Sequence, residues 1–381
     1  MPAMLPVPAD DTPRLTGVLP AALASIGGGR GAFDLPAVRS AVVVLVDGLG
    51  AHNLRSRAGH ARFLASRMAK RDVIRTVFPS TTAAAIASFA TGLMPGAHGL
   101  MGFRVPDRAH DRVVNQLSGW DDRMVPETWQ PHDTVFDRAR ERGVRAVAVG
   151  GMRYATSGFT RAVLRGAEYR AGAKIADRFS EALQVLDEGP ALVYLYVSEL
   201  DQVAHAHGWE SDRWLAALEA LDAELASFER RMPRDTGLLV TADHGVIDVP
   251  PHRHVFIDAE PALVEGVRHV AGEPRCLGLV LDDALDDAAR AALLDRWRDA
   301  EGDRAWVVSR DEAVSAGLYG DVDEGNLDRI ADILVAARAG VAYYDRREVD
   351  RRGEDMVGQH GSLTDEETRV PLLRLGAYAR D

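Results

Sequence analysis

Cysteine is nearly absent. Cys276 is the single one in 381 residues, so no internal disulfide can form and the fold does not depend on an oxidising compartment. Long apolar runs are missing as well: no stretch approaches the roughly 18 consecutive apolar residues of a membrane span. The segment Met1–Arg14 carries Asp10, Asp11 and four prolines. It has no basic stretch followed by an apolar one, and does not read as a signal peptide. The expectation is a soluble, cytoplasmic protein with no membrane partner. Bases are in deficit, 45 against 57 acids, and the formal charge of −12 argues against coating nucleic acid. What is present is ordinary for a globular chain: 46% hydrophobic and 27% charged residues, which excludes disordered and fibrous classes. The length fits two domains, or one large α/β domain with an insertion. The acidity imposes a condition: an anionic substrate needs a local reversal of the field.

The apolar runs are short and rich in β-branched residues, and they alternate with helical patterns. Ala41–Val46, Val144–Val149, Leu192–Val197, Leu238–Thr241 and Val370–Leu375 read as strands covered on both faces, as in a parallel sheet. Leu215, Leu218, Leu221 and Leu225 mark a helix over 213–230. This alternation predicts an α/β fold with helices on both sides of a sheet. From about Ala262 to Glu324 the texture changes, with an acidic helical stretch over 282–301 and short strands at 277–281 and 306–308. That region reads as a small inserted α+β cap (262–324) in a core of residues 1–261 and 325–381. The run Ile333–Val335 is expected to return the chain to the main sheet.

Three sites share one pattern, a buried strand that ends in a metal-type ligand. Asp47 follows Val44-Leu-Val, and Asp201, with His205 one helical turn later, follows Leu192–Val197. Asp243 and His244 follow Val240-Thr-Ala. A fourth candidate, His360, stands in Gly-Gln-His-Gly before the last strand. Ligand crevices of parallel sheets lie outside the carboxyl ends of the strands, so these sites should converge. Each alone has a plainer explanation, as a turn, a solvated helix pair or a loop histidine. The adjacent pair Asp243–His244 is costly to bury unless paired or metal-bound. Three Asp and three His exceed what one catalytic zinc takes. They suit two divalent ions about 4 Å apart. Zinc is favoured by imidazole with carboxylate, and manganese or iron are the alternatives.

A nucleophile is expected in Val77-Phe-Pro-Ser80-Thr81-Thr82, where hydroxyls follow Pro79 and an alanine-rich helix begins. Such residues are commonly plain N-caps. A helix start also offers free N–H groups to an oxyanion. A hydroxyl beside a divalent ion loses its proton more readily.

With these residues in view, the chain resembles the alkaline phosphatase superfamily, in particular the type I phosphodiesterase/nucleotide pyrophosphatase group of bacterial enzymes. The resemblance runs from about Ser40 to Leu375 through VDGLG, FPSTT…ATG followed by HG, SELDQVAH, TADHG, and GQHG before LTDEE and VPLL. It implies an alkaline-phosphatase-like three-layer sandwich with a mostly parallel central sheet and the inserted cap. It further implies one metal on Asp201, His205 and His360, and a second on Asp47, Asp243, His244 and the nucleophile oxygen. The family's Phe-Pro-x-x-Thr pattern, and its spacing of nine residues to Thr91, both fall on Thr82, ahead of Thr81 and Ser80. Eukaryotic-type diesterases have Phe-Pro-Asn after the nucleophile, where this chain has Ala83-Ala84-Ala85. They also have a phosphate-binding Asn after the His-Gly, where this chain has Phe103, which cannot donate a hydrogen bond. Arg104 or the Thr82 N–H is the expected substitute, with Asn115 a more distant candidate. Tyr154, after Gly150-Gly151, is a candidate for the substrate mouth, whereas Trp120, Trp129 and Trp209 read first as core or rim packing and second as the lining of a base or leaving-group pocket.

The expected chemistry is two in-line displacements at phosphorus through a phosphothreonine at Thr82. The substrate is a small phosphate ester or nucleotide. Three aspartates and two divalent ions leave a site charge of about +1, which answers the condition set by the acidic surface. Diester or pyrophosphate hydrolysis comes first, monoester or phosphonate hydrolysis second. A sulfatase is disfavoured because Cys276 lies in the cap, and nothing in the sequence points to a phosphomutase. The rival from another class is a metal-stabilised binding protein without turnover. A full ligand set plus a nucleophilic hydroxyl argues against it. Oligomeric state is not legible.

Overall fold

The computed structural model describes residues 5–9, 11–29, 31–347 and 352–380; of the N-terminal segment read above, residues 1–4 and Asp10 lie outside the described residues. Its main element is a seven-stranded sheet. The strands β1 (Ser40–Val46), β5 (Arg145–Gly150), β6 (Glu168–Ala171), β7 (Ala191–Val197) and β8 (Thr236–Thr241) run parallel in the order β8-β1-β7-β5-β6. Every residue of β1 and β8 is buried, so both faces are covered, as the unbroken apolar runs require. The last strand, Arg369–Gly376, is antiparallel to β8, and β2 (Val73–Arg75) is antiparallel to that strand. Two reversals turn β2 back into the direction of the parallel five. Its carboxyl end therefore lies at the same edge as theirs.

Register sets the ends level. Val46 pairs with Val197 and Leu45 with Thr241, so β1, β7 and β8 finish side by side. The predicted helix over 213–230 is present as Asp212–Arg231, with Trp214, Leu218, Leu221, Leu225 and Phe228 buried and Ser211 accepting the Trp214 N–H at its start. No helix among the described residues is long and apolar enough to cross a membrane.

A second, antiparallel sheet forms in the order Val267–Glu273, Cys276–Leu281, Ile333–Ala337, Ala305–Ser309. One expectation is corrected here. Ile333–Val335 does not return to the main sheet; it pairs with Leu277–Leu279 on one side and Val307–Ser309 on the other. A fully apolar strand suits the centre of either sheet, so its partners and not its composition decide its place. The second sheet has its own core, with Leu279, Leu293, Trp297 and Val335 all at or below 1% exposure.

Candidate active site

The site grows from the level strand ends. Asp47 follows β1, and the chain then bends through Gly48 at φ +73°. A side chain on Gly48 would stand 3.1 Å from Asp201 Cβ and 3.0 Å from Val246 Cγ2, so the bend needs glycine for approach as well as for dihedral angle. Asp201 and His205 lie one turn apart on the helix Glu199–His207, with Oδ2 and Nε2 at 3.1 Å. Asp243 and His244 follow β8, and both are fully buried. His360 follows the short strand Gly358–Gln359, which pairs with Ile247–Asp248 and so carries the loop back over the sheet edge. Thr82 is the first residue of the helix Thr82–Thr91, reached from the carboxyl end of β2.

These side chains come together. Asp47 Oδ1 lies 3.4 Å and Asp243 Oδ2 3.5 Å from His244 Nε2. His360 Nε2 lies 3.8 Å from Asp201 Oδ1, and the His244 and His360 rings stack at 3.6 Å. Two ligand groups form: Asp201, His205 and His360 in one, and Asp47, Asp201 and His244 in the other. Asp201 belongs to both groups, whereas Asp243 approaches from the His244 side and also accepts the backbone N–H of Gly48 and of His244 through Oδ1.

The hydrogen bonds fix the imidazole tautomers. His205 Nδ1 faces the Gly358 carbonyl at 2.7 Å, His360 Nδ1 the Ser80 carbonyl at 3.0 Å, and His244 Nδ1 the Gly245 carbonyl at 3.2 Å. A carbonyl only accepts, so each Nδ1 carries the proton and each Nε2 lone pair is turned inward, the arrangement of metal-ligating histidines. Asp47 Oδ1, Asp201 Oδ1 and Asp243 Oδ2 are buried without a hydrogen-bond partner. Buried carboxylate oxygens left unpaired are costly, and three of them facing three Nε2 atoms is a donor set that fits divalent cations.

The electrostatics point the same way. Burial, reinforced by Asp243 and Asp201, pushes the Asp47 carboxyl well above the usual range, and burial also raises Asp243. Burial acts upward on Asp201 too, but His205, His360 and His244 outweigh it and hold it below the usual carboxylate range. Burial pushes His360 well below its ordinary value. His205 is raised, because Asp201 outweighs its desolvation.

The three hydroxyls of the turn before the helix separate by their partners. Ser80 Oγ donates to the Ser362 carbonyl at 2.7 Å and accepts the Gly361 N–H at 3.2 Å, facing away from the cluster. Thr81, at the N-cap, makes no cap bond, and its hydroxyl acts on the Glu273 carboxyl, holding it down against burial. Thr82 Oγ1 alone of the three faces the ligands, 3.3 Å from His244 Nε2.

The cluster opens on a cavity of about 1030 Å³ that is also lined by Phe103, Arg104, Asn115, Trp120 and Tyr154. Arg104 and Asn115 are register partners in the hairpin of β3 (Arg104–Asp107) and β4 (Arg112–Asn115). Arg104 donates to the Val270 carbonyl of the second sheet at 2.5 Å. Asn115 Oδ1 accepts the N–H groups of Leu117 and Ser118, so its acceptor is used in its own turn. The Tyr154 ring packs edge-on against Tyr196 at 5.8 Å, and its hydroxyl meets Arg153 and Gln202. Trp120, for which the sequence left packing and pocket lining both open, is part of this wall.

Sequence reasoning missed two residues at the site. Tyr196 donates its hydroxyl to Asp47 Oδ2 from β7. Its alternation in a strand leaves no mark of that role. Glu273, from the second sheet, stands 3.7 Å from His360 Nδ1, and burial pushes its carboxyl well above the usual range. Gly361 makes room for it, since a Cβ there would lie 2.6 Å from the Glu273 carboxyl carbon. In the sequence Glu273 is an acid at the end of a strand that also carries Arg268 and His269, which gives no sign of the role.

Fold and site together define a class: an α/β protein that collects carboxylates and imidazoles at the carboxyl edge of parallel strands, beside a helix-initiating threonine. Residues 41–363 match the type I phosphodiesterase/nucleotide pyrophosphatase family, and the chain belongs to that family. Phosphopentomutase of Rhizobium meliloti (strain 1021) is 32% identical over 117 residues, 30% of this chain and 27% of that protein. Human ectonucleotide pyrophosphatase/phosphodiesterase family member 1 is 22% identical over 210 residues, 52% of this chain and 22% of its own. The matches thus span about a quarter of the length of these curated relatives. Among solved structures, murine ectonucleotide pyrophosphatase/phosphodiesterase 5 in complex with AMP superposes with a TM-score of 0.69 at 16% identity, covering 89% of this chain and 88% of that one. Phosphonoacetate hydrolase from Sinorhizobium meliloti 1021, in complex with phosphonoformate, does so with a TM-score of 0.68 at 19% identity over 91% of each chain. At these identities they establish a shared fold.

Proposed function

We propose that the chain is a metal-dependent hydrolase of phosphate esters, acting first on diesters or pyrophosphates, with Thr82 as nucleophile. One observation carries this reading. Three buried, unpartnered carboxylate oxygens and three inward-facing Nε2 atoms converge beside the Thr82 hydroxyl. Asp201, His205 and His360 would hold one divalent ion, and Asp47, Asp243 and His244, with Asp201 near both, a second; zinc is the first candidate. When bound, such ions supply positive charge for developing oxyanions and ease the ionisation of a nearby hydroxyl. Thr82 Oγ1 attacks phosphorus in line with the leaving oxygen, giving a phosphothreonine that water then cleaves. Tyr196 orients the Asp47 carboxylate through its hydroxyl, and the free N–H groups at the start of the Thr82–Thr91 helix face the phosphoryl oxygens. Diesters are preferred to monoesters because the cavity beside Thr82 has room for a second ester arm. Phosphonate hydrolysis is the second reading, favoured by the fold shared with phosphonoacetate hydrolase. The insertion drawn at 262–324 is taken to extend to Ala337, since Ile333–Ala337 pairs with its strands. A cytoplasmic setting is part of the proposal.

The test is metal analysis alongside turnover of bis(p-nitrophenyl) phosphate and p-nitrophenyl phosphate, before and after chelation and after adding back zinc or manganese. Two equivalents of metal with chelator-sensitive diester cleavage is the expected result. Metal-loaded protein inert towards every ester would favour a binding protein instead.

A further inference from the structure

The cavity reaches beyond what a phosphoryl group occupies. At about 1030 Å³ it stands at the upper end of the roughly 300–1,000 Å³ of small-molecule sites. From Thr82 it runs along the same helix face to Ile86, one turn on, and is bounded there by Val149 of β5, Phe159 and Val163 of the helix Gly158–Val163, and Trp120. Val163 and Val149, at 0% and 1% exposure, close its floor, and Trp120, Phe159 and Leu164 form half-buried walls. Protein interiors are close-packed, and lining atoms without neighbours lose their dispersion contacts. An open apolar slot of this depth is a place prepared for an apolar group.

The slot's lining is mainly apolar, and two of its polar atoms are already engaged by the protein. Trp120 Nε1 donates to the Gln116 carbonyl at 2.9 Å, and the Tyr169 hydroxyl to the Gly151 carbonyl at 2.8 Å. The Trp120 ring is seated where a side chain at Gly158 would be, its Cγ 2.3 Å from that Cβ position, so it presents carbon to the slot from a fixed place. A sugar hydroxyl or a base edge entering here would lose water and meet carbon, at a cost. An aryl ring or alkyl chain would lose nothing and gain burial.

We infer that this slot seats an apolar arm, an aryl ring or an alkyl chain, carried by the phosphoryl group that Thr82 attacks. The attachment to that phosphoryl group rests on the proposed function; the slot's apolar preference does not. The test uses metal-loaded full-length protein and the series methyl-, butyl-, octyl- and phenylphosphonate, with AMP as the nucleoside arm, as competitive inhibitors of bis(p-nitrophenyl) phosphate hydrolysis. The inhibition constant should fall by roughly threefold per methylene from methyl to butyl. Octyl- or phenylphosphonate should bind at least about tenfold tighter than methylphosphonate and AMP, and the tighter of the two says whether the slot takes a chain or a ring. A flat series, or AMP binding tighter than both, overturns the inference. Leu164→Trp, which enlarges a half-buried wall of the slot, should flatten the dependence on chain length; an unchanged slope overturns the location. If that variant does not fold, the wild-type series decides alone. If neither nitrophenyl ester is cleaved, the proposed function fails. Thermal upshifts of the same protein across the same phosphonates then still decide the slot.

Discussion

Ser80, Thr81 and Thr82 are three consecutive hydroxyls whose surroundings assign them different costs of removal, and Ser80→Ala against Thr82→Ala separates chemistry from architecture. Ser80→Ala strands two buried backbone groups, the Ser362 carbonyl and the Gly361 N–H. Each stranded group costs about 1–3 kcal/mol, so about 2–6 kcal/mol in all. A chain of this length carries unfolding entropy that converts each kcal/mol into about 1.2 °C, and Tm should fall by about 2–7 °C. Thr82→Ala loses a 3.3 Å contact to His244 at a site 9% exposed. That contact is worth under about 1 kcal/mol. Its Tm should stay within about 1 °C while kcat falls at least about 10³-fold, or about 4 kcal/mol of transition-state stabilisation. Calorimetry on metal-reconstituted protein and initial rates with bis(p-nitrophenyl) phosphate read both quantities. Thr82→Ala within tenfold of wild type would refute the assignment. So would a Ser80→Ala protein of unchanged Tm that is inactive.

Thr81→Val, which removes the hydroxyl held by Glu273, should lower kcat by about tenfold with KM within about twofold, and Thr81→Ser should restore it; full kcat in the valine variant would show that the contact does not position Thr82. Arg275 and Glu367 form a fully buried ion pair at 2.7 Å, with Arg275 also donating to the carbonyls of Ala337, Ala339 and Val341. Arg275→Met should cost about 3–5 kcal/mol in urea unfolding, and a loss below about 1 kcal/mol would contradict that reading. Burial, with a smaller push from His132, brings His98 down to about 3; its Nδ1 accepts the Leu100 N–H and its Nε2 meets Ser88. The unfolded histidine binds its proton near 6.5, so the folded state holds fewer protons between about 6.5 and 3 and stability falls as pH drops through that window. Urea midpoints of His98→Asn between pH 7 and 5 should fall less steeply, by up to about 1.4 kcal/mol per pH unit; parallel slopes would place the acid sensitivity elsewhere.

Legibility divides by the range of the interactions involved. Strands that end in Asp47, Asp201 and Asp243 could be read because apolar runs covered on both faces and the ligands after them are local features. The Asp201/His205 pair could be read because one helical turn is a fixed distance. The place of Ile333–Ala337 could not, because an apolar strand carries no label for its partners and the outcome depended on pairing with Cys276–Leu279 and Ala305–Ser309. Tyr196 and Glu273 went unseen for a related reason, since each touches residues more than seventy positions away.

From sequence alone came the α/β class and the six Asp and His candidates, through periodicity and strand-end position, while the proposal of Thr82 came from the family resemblance. Tertiary structure alone decided the rest. It turned three Nδ1 atoms onto carbonyls so that their Nε2 lone pairs face inward, and it drew Ser80 and Thr81 away from the cluster. It also brought Glu273 of the second sheet against His360 and opened an apolar slot beside Thr82. Hydrogen-bond direction and empty space arise between segments distant along the chain, and only the folded arrangement contains them.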